Sequence, residues 1–111
     1  MYKGGLSRLQ LNRVFEYIEE HLAESIGLSD LADTAGLSIY HFARQFRQST
    51  AVAPHRYVLQ RKIDRAKEAL RDPRKSILEA SALVGFEDQS HFTKTFRRLV
   101  GITPTEFRSR I

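Results

Sequence analysis

The heptapeptide HFTKTFR at residues 91–97 decides the fold of this chain, because HFARQFR at residues 41–47 nearly repeats it. Four of the seven letters are identical, and Arg44 and Lys94 keep a positive charge at a fifth position. The two copies lie 50 positions apart in a chain of 111 residues. A small protein that carries the same pattern twice is expected to fold as two similar lobes.

The repeat extends beyond the heptapeptide on both sides. Gly36-Leu37 corresponds to Gly85-Phe86 at an offset of 49 residues. Further pairs match at an offset of 50, namely Phe42/Phe92, Phe46/Phe96, Arg47/Arg97, Pro54/Pro104 and Tyr57/Phe107. One additional residue in the second turn explains the shift. Each copy predicts a short helix, a turn with glycine, a longer helix, a small-residue stop and a helix that begins with proline, which is a helix-turn-helix layout.

Helical periodicity runs through the whole chain, and alternating strand patterns are nearly absent. Two long apolar stripes at helical spacing are Leu11, Val14, Ile18, Leu22 and Leu59, Ile63, Ala66, Leu70. The expected N-caps are Ser29, Ser38, Ser76, Asp88 and Thr103. Pro54 and Pro104 suit the first turn of a helix, and the expected helix ends are Gly36, Gly85 and Gly101. These signals predict helices near 8–23, 29–35, 39–49, 54–70, 77–84, 89–99 and 104–109. The expected fold is therefore all-α, with seven helices in two homeodomain-like helix-turn-helix subdomains joined by a long central helix.

Four segments follow from this pattern. We expect a linker at residues 1–6, a first helix-turn-helix lobe at 7–52, a bridging helix at 53–72 and a second lobe at 73–111. The double glycine at residues 4–5 favours a loop ahead of the first helix.

The charge of the chain is strongly positive and unevenly distributed. The net charge is +5 and the pI is about 9.9. Residues 53–75 carry eight basic side chains against three acidic ones, whereas residues 1–27 have a net charge of −1. An excess of this kind favours a polyanionic partner. A solvated helix face is the alternative explanation.

Several kinds of chemistry are disfavoured by the sequence. The chain has no cysteine, which excludes disulfides and thiolate zinc sites, and is in keeping with a cytoplasmic protein. The four histidines, His21, His41, His55 and His91, show no ligand spacing, so we expect no metal and no cofactor. No phosphate-binding loop, serine elbow or paired carboxylates indicate an enzyme. No apolar run approaches the ~20 residues of a membrane span.

The two longer helices of the repeats each separate an apolar face from a polar one. Phe92 and Phe96 lie on the inward face of the sixth helix, and Phe42 and Phe46 on that of the third. The opposite face of the sixth helix holds Ser90, Lys94 and Arg97, flanked by His91 and Arg98. The opposite face of the third helix holds Tyr40, Arg44 and Arg47, flanked by His41 and Gln48. Such donors read base edges in a DNA major groove. Two of these helices would let a monomer read two successive major-groove segments, and the site need not be a palindrome.

The stretches LSDLADTAGLSIYHFARQFRQSTAVAPHRYV (28–58) and ILEASALVGFEDQSHFTKTFRRLVGITPTEFR (77–108) resemble the DNA-binding domain of the AraC/XylS family of bacterial transcription regulators. The second stretch is close to the family signature, and the resemblance covers about residues 6–108. It implies a seven-helix fold in which the third and sixth helices read bases. The base contacts that it implies are Tyr40, Ala43 and Arg44 in the first lobe and Ser90, His91 and Lys94 in the second. Ala43 is smaller than the polar residues usual there, and it offers a thymine only a methyl contact.

Other residues are expected to contact the DNA backbone, namely Ser38, Arg47, Arg61, Lys62, Gln89, Arg97 and Arg98. The resemblance further implies RNA polymerase as a partner at promoters, and an N-terminal effector or dimerisation domain ahead of this module. A complete single-domain regulator that binds as a monomer is the alternative. A helical protein–protein adaptor that uses the basic central helix, and a nonspecific nucleoid or RNA binder, are the rival functions.

Overall fold

A computed structural model describes residues 5–111, and this part of the chain contains seven α-helices and no strand. The helices are α1 (Arg8–Glu20), α2 (Leu28–Ala35), α3 (Ile39–Thr50), α4 (Pro54–Leu70), α5 (Ile77–Leu83), α6 (Gln89–Val100) and α7 (Pro104–Ser109). The all-α prediction is confirmed, and six helices agree with the predicted bounds within one residue. Helix α1 ends three residues earlier than predicted, because His21 leaves the helical backbone angles although Leu22 continues the buried stripe.

The chain divides into two compact units, one ending at Leu59 and the other spanning Gln60–Ile111. The division falls within α4, which contributes its first turns to one unit and the remaining turns to the other. The bridging segment expected at 53–72 is thus shared between the two units.

The expected linker at residues 1–6 falls partly outside the described residues, which begin at Gly5. Leu6 is only 3% exposed and belongs to the core of the first unit. Its N–H donates to Ser49 Oγ at 2.8 Å. A Cβ on Gly5 would lie 2.6 Å from the same Oγ, so a larger residue there would make the Ser49 side chain move and disturb this hydrogen bond. Leu6 therefore packs as part of the first lobe and not as a linker.

The first unit is held by one hydrophobic core that joins its helices. Phe46 is fully buried, and its ring contacts those of Phe15 and Tyr57 in edge-to-face arrangements with centroids 6.4 and 5.5 Å away. The other buried members of this core are Leu6, Val14, Ile18, Leu22, Leu31, Ala32, Ala35, Phe42 and Val58. Burial of the face of α3 that carries phenylalanine leaves the opposite face in solvent.

The second unit repeats this construction around its own phenylalanines. Phe96 is fully buried and lies between Phe92 and Phe107, with ring centroids 5.8 and 5.6 Å away. The other buried apolar residues of this unit include Ile63, Ala66, Leu70, Ala80, Val84 and Phe86. Arg108 ties α7 to the end of α4, because its Nε donates to the Leu70 carbonyl at 3.1 Å.

The turn between the first two helices of each repeat is built on a left-handed glycine. Gly36 has φ 72° and Gly85 has φ 80°, a backbone region that other residues rarely adopt. The following amides donate to equivalent carbonyls, Leu37 N to Ala32 O at 3.0 Å and Phe86 N to Ser81 O at 3.1 Å. The N-caps Ser38 and Asp88 are 50 positions apart, so the additional residue of the second repeat lies within its turn, as the sequence indicates.

Most of the predicted caps are confirmed, and one is wrong. Ser38, Ser76, Asp88 and Thr103 each accept a hydrogen bond from the first turn of their helix. Ser29 is not an N-cap, because α2 begins at Leu28 after Gly27. The Gly27 N–H donates instead to the Asp30 carboxylate at 3.0 Å, which fixes the start of the helix one residue earlier.

Two capping boxes lower the pKa of their glutamates. The pKa of Glu79 is lowered because the carboxylate accepts from the Ser76 backbone N–H and lies near the Ser76 hydroxyl. The same arrangement with Thr103 lowers the pKa of Glu106. Both helices therefore begin with the reciprocal hydrogen bonds of a capping box.

Candidate nucleic-acid interface

Helix α3 presents the polar face that the sequence predicts. Phe42 and Phe46 are fully buried, whereas Tyr40 is 69% exposed and Arg44 is exposed. Ala43, between these two residues, is half-buried. Tyr40, Ala43 and Arg44 are thus within one turn of α3, with a hydroxyl, a methyl group and a guanidinium.

The start of α3 is rigidly capped. Ser38 Oγ accepts from His41 N at 3.2 Å and lies 3.0 Å from His41 Nδ1. The rings of Tyr40 and His41 meet edge to face at 5.8 Å. These local contacts restrict the side chains in the first turn of α3.

Helix α6 repeats the geometry with different side chains. Phe92, Thr95 and Phe96 are buried, and Ser90, His91 and Lys94 are exposed on the other side. The His91 ring packs against Phe86 edge to face at 5.2 Å, which holds the imidazole at the base of the helix. A shallow depression of about 470 Å³ lies on this face, lined by Gln89, Ser90, Thr93 and Lys94. Three of the residues that the sequence predicts at the site therefore line one surface feature.

The predicted backbone contacts fall into two groups. Ser38, Arg47, Gln89, Arg97 and Arg98 are exposed, and the three arginines lie in the last turns of their helices. Arg61 is partly buried and pairs with Asp64, with Nη1 and Oδ2 3.2 Å apart. Its charge is therefore partly neutralised within α4.

Lys62 occupies a position unlike the one the sequence predicts. Its side chain is buried, with 7% of the residue exposed. Its ammonium donates to the Val84 carbonyl at 3.0 Å, at the end of α5. An ammonium bound in this way is directed into the protein, so we leave Lys62 out of the phosphate contacts.

Two contacts near the site were missed in the sequence. Gln10 Nε2 donates to the Ala35 carbonyl at 3.0 Å, while its Oε1 accepts from Ser7 N at 2.9 Å. The S-x-x-Q spacing of Ser7 and Gln10 is a capping-box signal from which the N-cap of α1 could have been predicted. The contact with Ala35 has no local signal, because the two residues are 25 positions apart.

Among the described residues, no group of three or more histidine, aspartate or glutamate side chains is placed to hold a metal ion. No helix in the same range is long and apolar enough to cross a membrane.

Comparison with known proteins gives one consistent family. The helix-turn-helix domain family matches residues 31–110. The probable transcriptional regulator LumQ of Photobacterium leiognathi is 34% identical over 103 residues, which are 93% of this chain and 42% of LumQ. The chain thus spans less than half the length of this curated relative.

Two solved structures share the fold at 29% identity. A transcriptional regulator with an AraC-type DNA-binding domain, from Chromobacterium violaceum, superimposes with a TM-score of 0.85 over 93% of this chain and 92% of its own. The DNA-binding domain of AdpA, solved in complex with a target DNA, has a TM-score of 0.84 over 91% of each chain. This chain belongs to the AraC-type helix-turn-helix domain family.

Proposed function

We propose that the chain binds double-stranded DNA sequence-specifically, as the DNA-binding part of a bacterial transcription regulator. The observation that carries this proposal is the paired exposure of Arg44 and Lys94. They stand at equivalent positions on α3 and α6, each on the face opposite two fully buried phenylalanines. Arginine and lysine are the side chains that most often read guanine in the major groove.

Each recognition helix brings three residues to the base edges. Tyr40, Ala43 and Arg44 serve α3, and Ser90, His91 and Lys94 serve α6. Ser38, Arg47, Arg61, Gln89, Arg97 and Arg98 contact the phosphates. The net charge of +5 and the DNA-bound state of the AdpA domain support a DNA partner.

One chain occupies two successive major-groove segments about 10 base pairs apart. The support for this step is the internal repeat, which supplies two recognition helices without a second subunit. A two-fold dimer is therefore not required, and the half-sites are read in a fixed order.

The wider role is part of the same proposal. A regulator of this kind works in the bacterial cytoplasm, where it contacts RNA polymerase at promoters, and its effector or dimerisation domain precedes this module. LumQ and RhaS of Escherichia fergusonii are described as a transcriptional regulator and a transcriptional activator. No catalytic role is assigned to any residue.

The decisive experiment is selection of bound sequences from random duplex DNA with the purified chain, followed by the same selection with two variants. Lys94→Ala is expected to relax base preference in one half of the selected site, by about 1–3 kcal/mol for each lost base contact. Arg44→Ala is expected to relax the other half. Each variant is the matched control for the other, because both remove an exposed cation from equivalent helix positions.

Three results would contradict the proposal. An adaptor or a nonspecific binder would select no common sequence from the random pool. If both variants blurred the same base pairs, the two helices would not read separate segments. Inserting five base pairs between the half-sites tests the spacing, because it turns one half-site to the opposite side of the duplex, and undiminished binding would refute the two-segment arrangement.

A further inference from the structure

In both units, a side chain from outside the helix-turn-helix caps the carbonyl at the equivalent position of the turn. In the first unit Gln10 Nε2 donates to Ala35 O at 3.0 Å, and in the second Lys62 Nζ donates to Val84 O at 3.0 Å. Both carbonyls belong to the residue immediately before the turn glycine. The repeat thus preserves this contact with different chemistry, an amide in one unit and an ammonium in the other.

The position of these donors matters because a helix leaves its last carbonyls without partners in the helix itself. In each turn the amide after the glycine takes a carbonyl further back, Ala32 O in the first unit and Ser81 O in the second. The side-chain donor takes the carbonyl next to the glycine. A cation at this point also complements the negative end of the helix dipole, which favours Lys62 in particular.

Both donors are fixed by their own surroundings. Gln10 is held at its other end, where Oε1 accepts from Ser7 N at 2.9 Å in the capping box of α1. Lys62 is 7% exposed, and a buried ammonium is costly unless it is hydrogen-bonded. Each contact therefore ties the turn to a rigid helix and not to a mobile surface chain.

We infer that Gln10 and Lys62 are positioning residues that set where α3 and α6 begin, without touching the DNA themselves. The recognition helices begin at Ile39 and Gln89, three and four residues after the turn glycines Gly36 and Gly85, so that a shift of the capped carbonyl is passed directly to the N-terminal turn. Base reading tolerates little displacement of that turn. The consequence for DNA rests on the proposed function, whereas the effect on the turns does not.

The first experiment uses the chain without DNA. Amide hydrogen exchange is measured for Lys62→Met, which keeps the aliphatic chain, and for Gln10→Glu, which keeps the acceptor for Ser7 and loses the donor. Lys62→Met is expected to speed exchange at Phe86 about tenfold, and Gln10→Glu to do so at Leu37, each leaving the other turn unchanged. Unchanged protection at both amides would overturn the inference.

Two further variants separate this effect from general unfolding. Lys62→Arg keeps a cationic donor and is expected to restore protection of Phe86. Lys62→Gln supplies the neutral donor that the first unit uses and is also expected to restore protection. If Lys62→Met fails to fold by circular dichroism, Gln10→Glu tests the inference in the first unit. Failure of both donors to restore protection would show that Lys62 acts by packing alone, against the inference.

The second experiment uses the duplex selected by the wild-type chain and a random duplex of the same length. Lys62→Met is expected to reduce the preference for the selected duplex over the random duplex about tenfold, which is the size of one lost base contact. The salt dependence of binding is expected to stay unchanged. A phosphate contact would instead lower the slope of log K against log salt by about 0.9 and weaken both duplexes equally, which would overturn the inference. If the wild-type chain itself showed no sequence preference, the proposed DNA binding would be wrong, and the exchange experiment would still decide whether the two side chains hold the turns.

Discussion

Phe96 and Lys94 lie two residues apart on α6 and face in opposite directions, so that alanine substitutions at the two positions separate stability from recognition. Phe96 is fully buried, and its ring contacts Phe92 and Phe107 with centroids 5.8 and 5.6 Å away. Lys94 is exposed on the other face. We expect Phe96→Ala to act through folding and Lys94→Ala through DNA contacts alone.

The magnitude for Phe96→Ala follows from its burial. Truncation of a fully buried phenylalanine costs about 3–5 kcal/mol, because apolar contact is lost and a cavity remains. The two aromatic contacts place Phe96 toward the upper part of that range. At about 0.05–0.15 kcal/mol per residue, the unit Gln60–Ile111 has only about 3–8 kcal/mol of stability. The substitution therefore removes most of the margin of this unit, whereas an exposed substitution such as Lys94→Ala changes stability by about 0.5 kcal/mol or less.

Urea unfolding followed by circular dichroism measures the free energy of both variants, and binding to the selected duplex measures recognition. Lys94→Ala is expected to unfold at the wild-type urea concentration and to lose base preference in one half-site. Phe96→Ala is expected to unfold at a much lower concentration. The equivalent pair in the first unit, Phe42→Ala and Arg44→Ala, is expected to behave in the same way. The reasoning would be refuted if either phenylalanine variant lost DNA binding while its unfolding midpoint stayed unchanged.

Three further outcomes are expected. DNA affinity measured across salt concentrations should fall with a log–log slope of about −5 to −9, as expected for roughly 6–10 phosphates. Arg47→Ala and Arg97→Ala should each reduce the steepness of this slope by about 0.9. A wild-type slope shallower than about −2 would favour the adaptor function. Ala51→Gly should raise stability in urea by about 1 kcal/mol, because Ala51 has φ 67° at the end of α3, and no gain would show that the left-handed residue is unstrained. The pKa values of Glu79 and Glu106 are lowered in the folded chain, so their carboxylates stabilise the fold at neutral pH. This stabilisation is lost as the carboxylates become protonated below about pH 4.3. Acid should therefore lower the urea midpoint less in a Glu79→Gln variant than in the wild-type chain.

The fold was predictable to this extent because its signals are local. Caps such as Ser38 and Asp88, and the helix start at Pro54, depend on hydrogen bonds and dihedral angles within four residues. The stripe of α1 misled only at its end, because Leu22 continues the apolar spacing after the helix has stopped. Ser29 misled for a similar reason, since Gly27 and Asp30 provide an alternative start for α2.

The sequence was enough to predict the exposed faces of the candidate site, but not the long-range contacts that hold its helices in place. The inward phenylalanines of α3 and α6 determine which residues are exposed, so that the outward positions of Arg44 and Lys94 follow from helical geometry. The burial of Lys62 could not be inferred in this way, because its partner Val84 lies 22 positions further along the chain. A basic side chain in a basic segment gives no sequence signal that distinguishes a phosphate contact from a helix cap.

The repeat preserves the framework of the two units more strictly than the residues proposed to face the DNA. The buried phenylalanines of α3 recur in α6 at the same spacing, and the turn glycines share the left-handed conformation. The outward positions differ, with Tyr40 corresponding to Ser90 and Arg44 to Lys94. Arginine offers a planar fork for bidentate contacts, whereas lysine offers a single compact charge, so the two are not interchangeable at a base edge. Two units with a common fold and different reading faces are therefore expected to recognise two different half-sites, which gives the bound DNA a direction that a symmetric dimer on a palindrome would not provide.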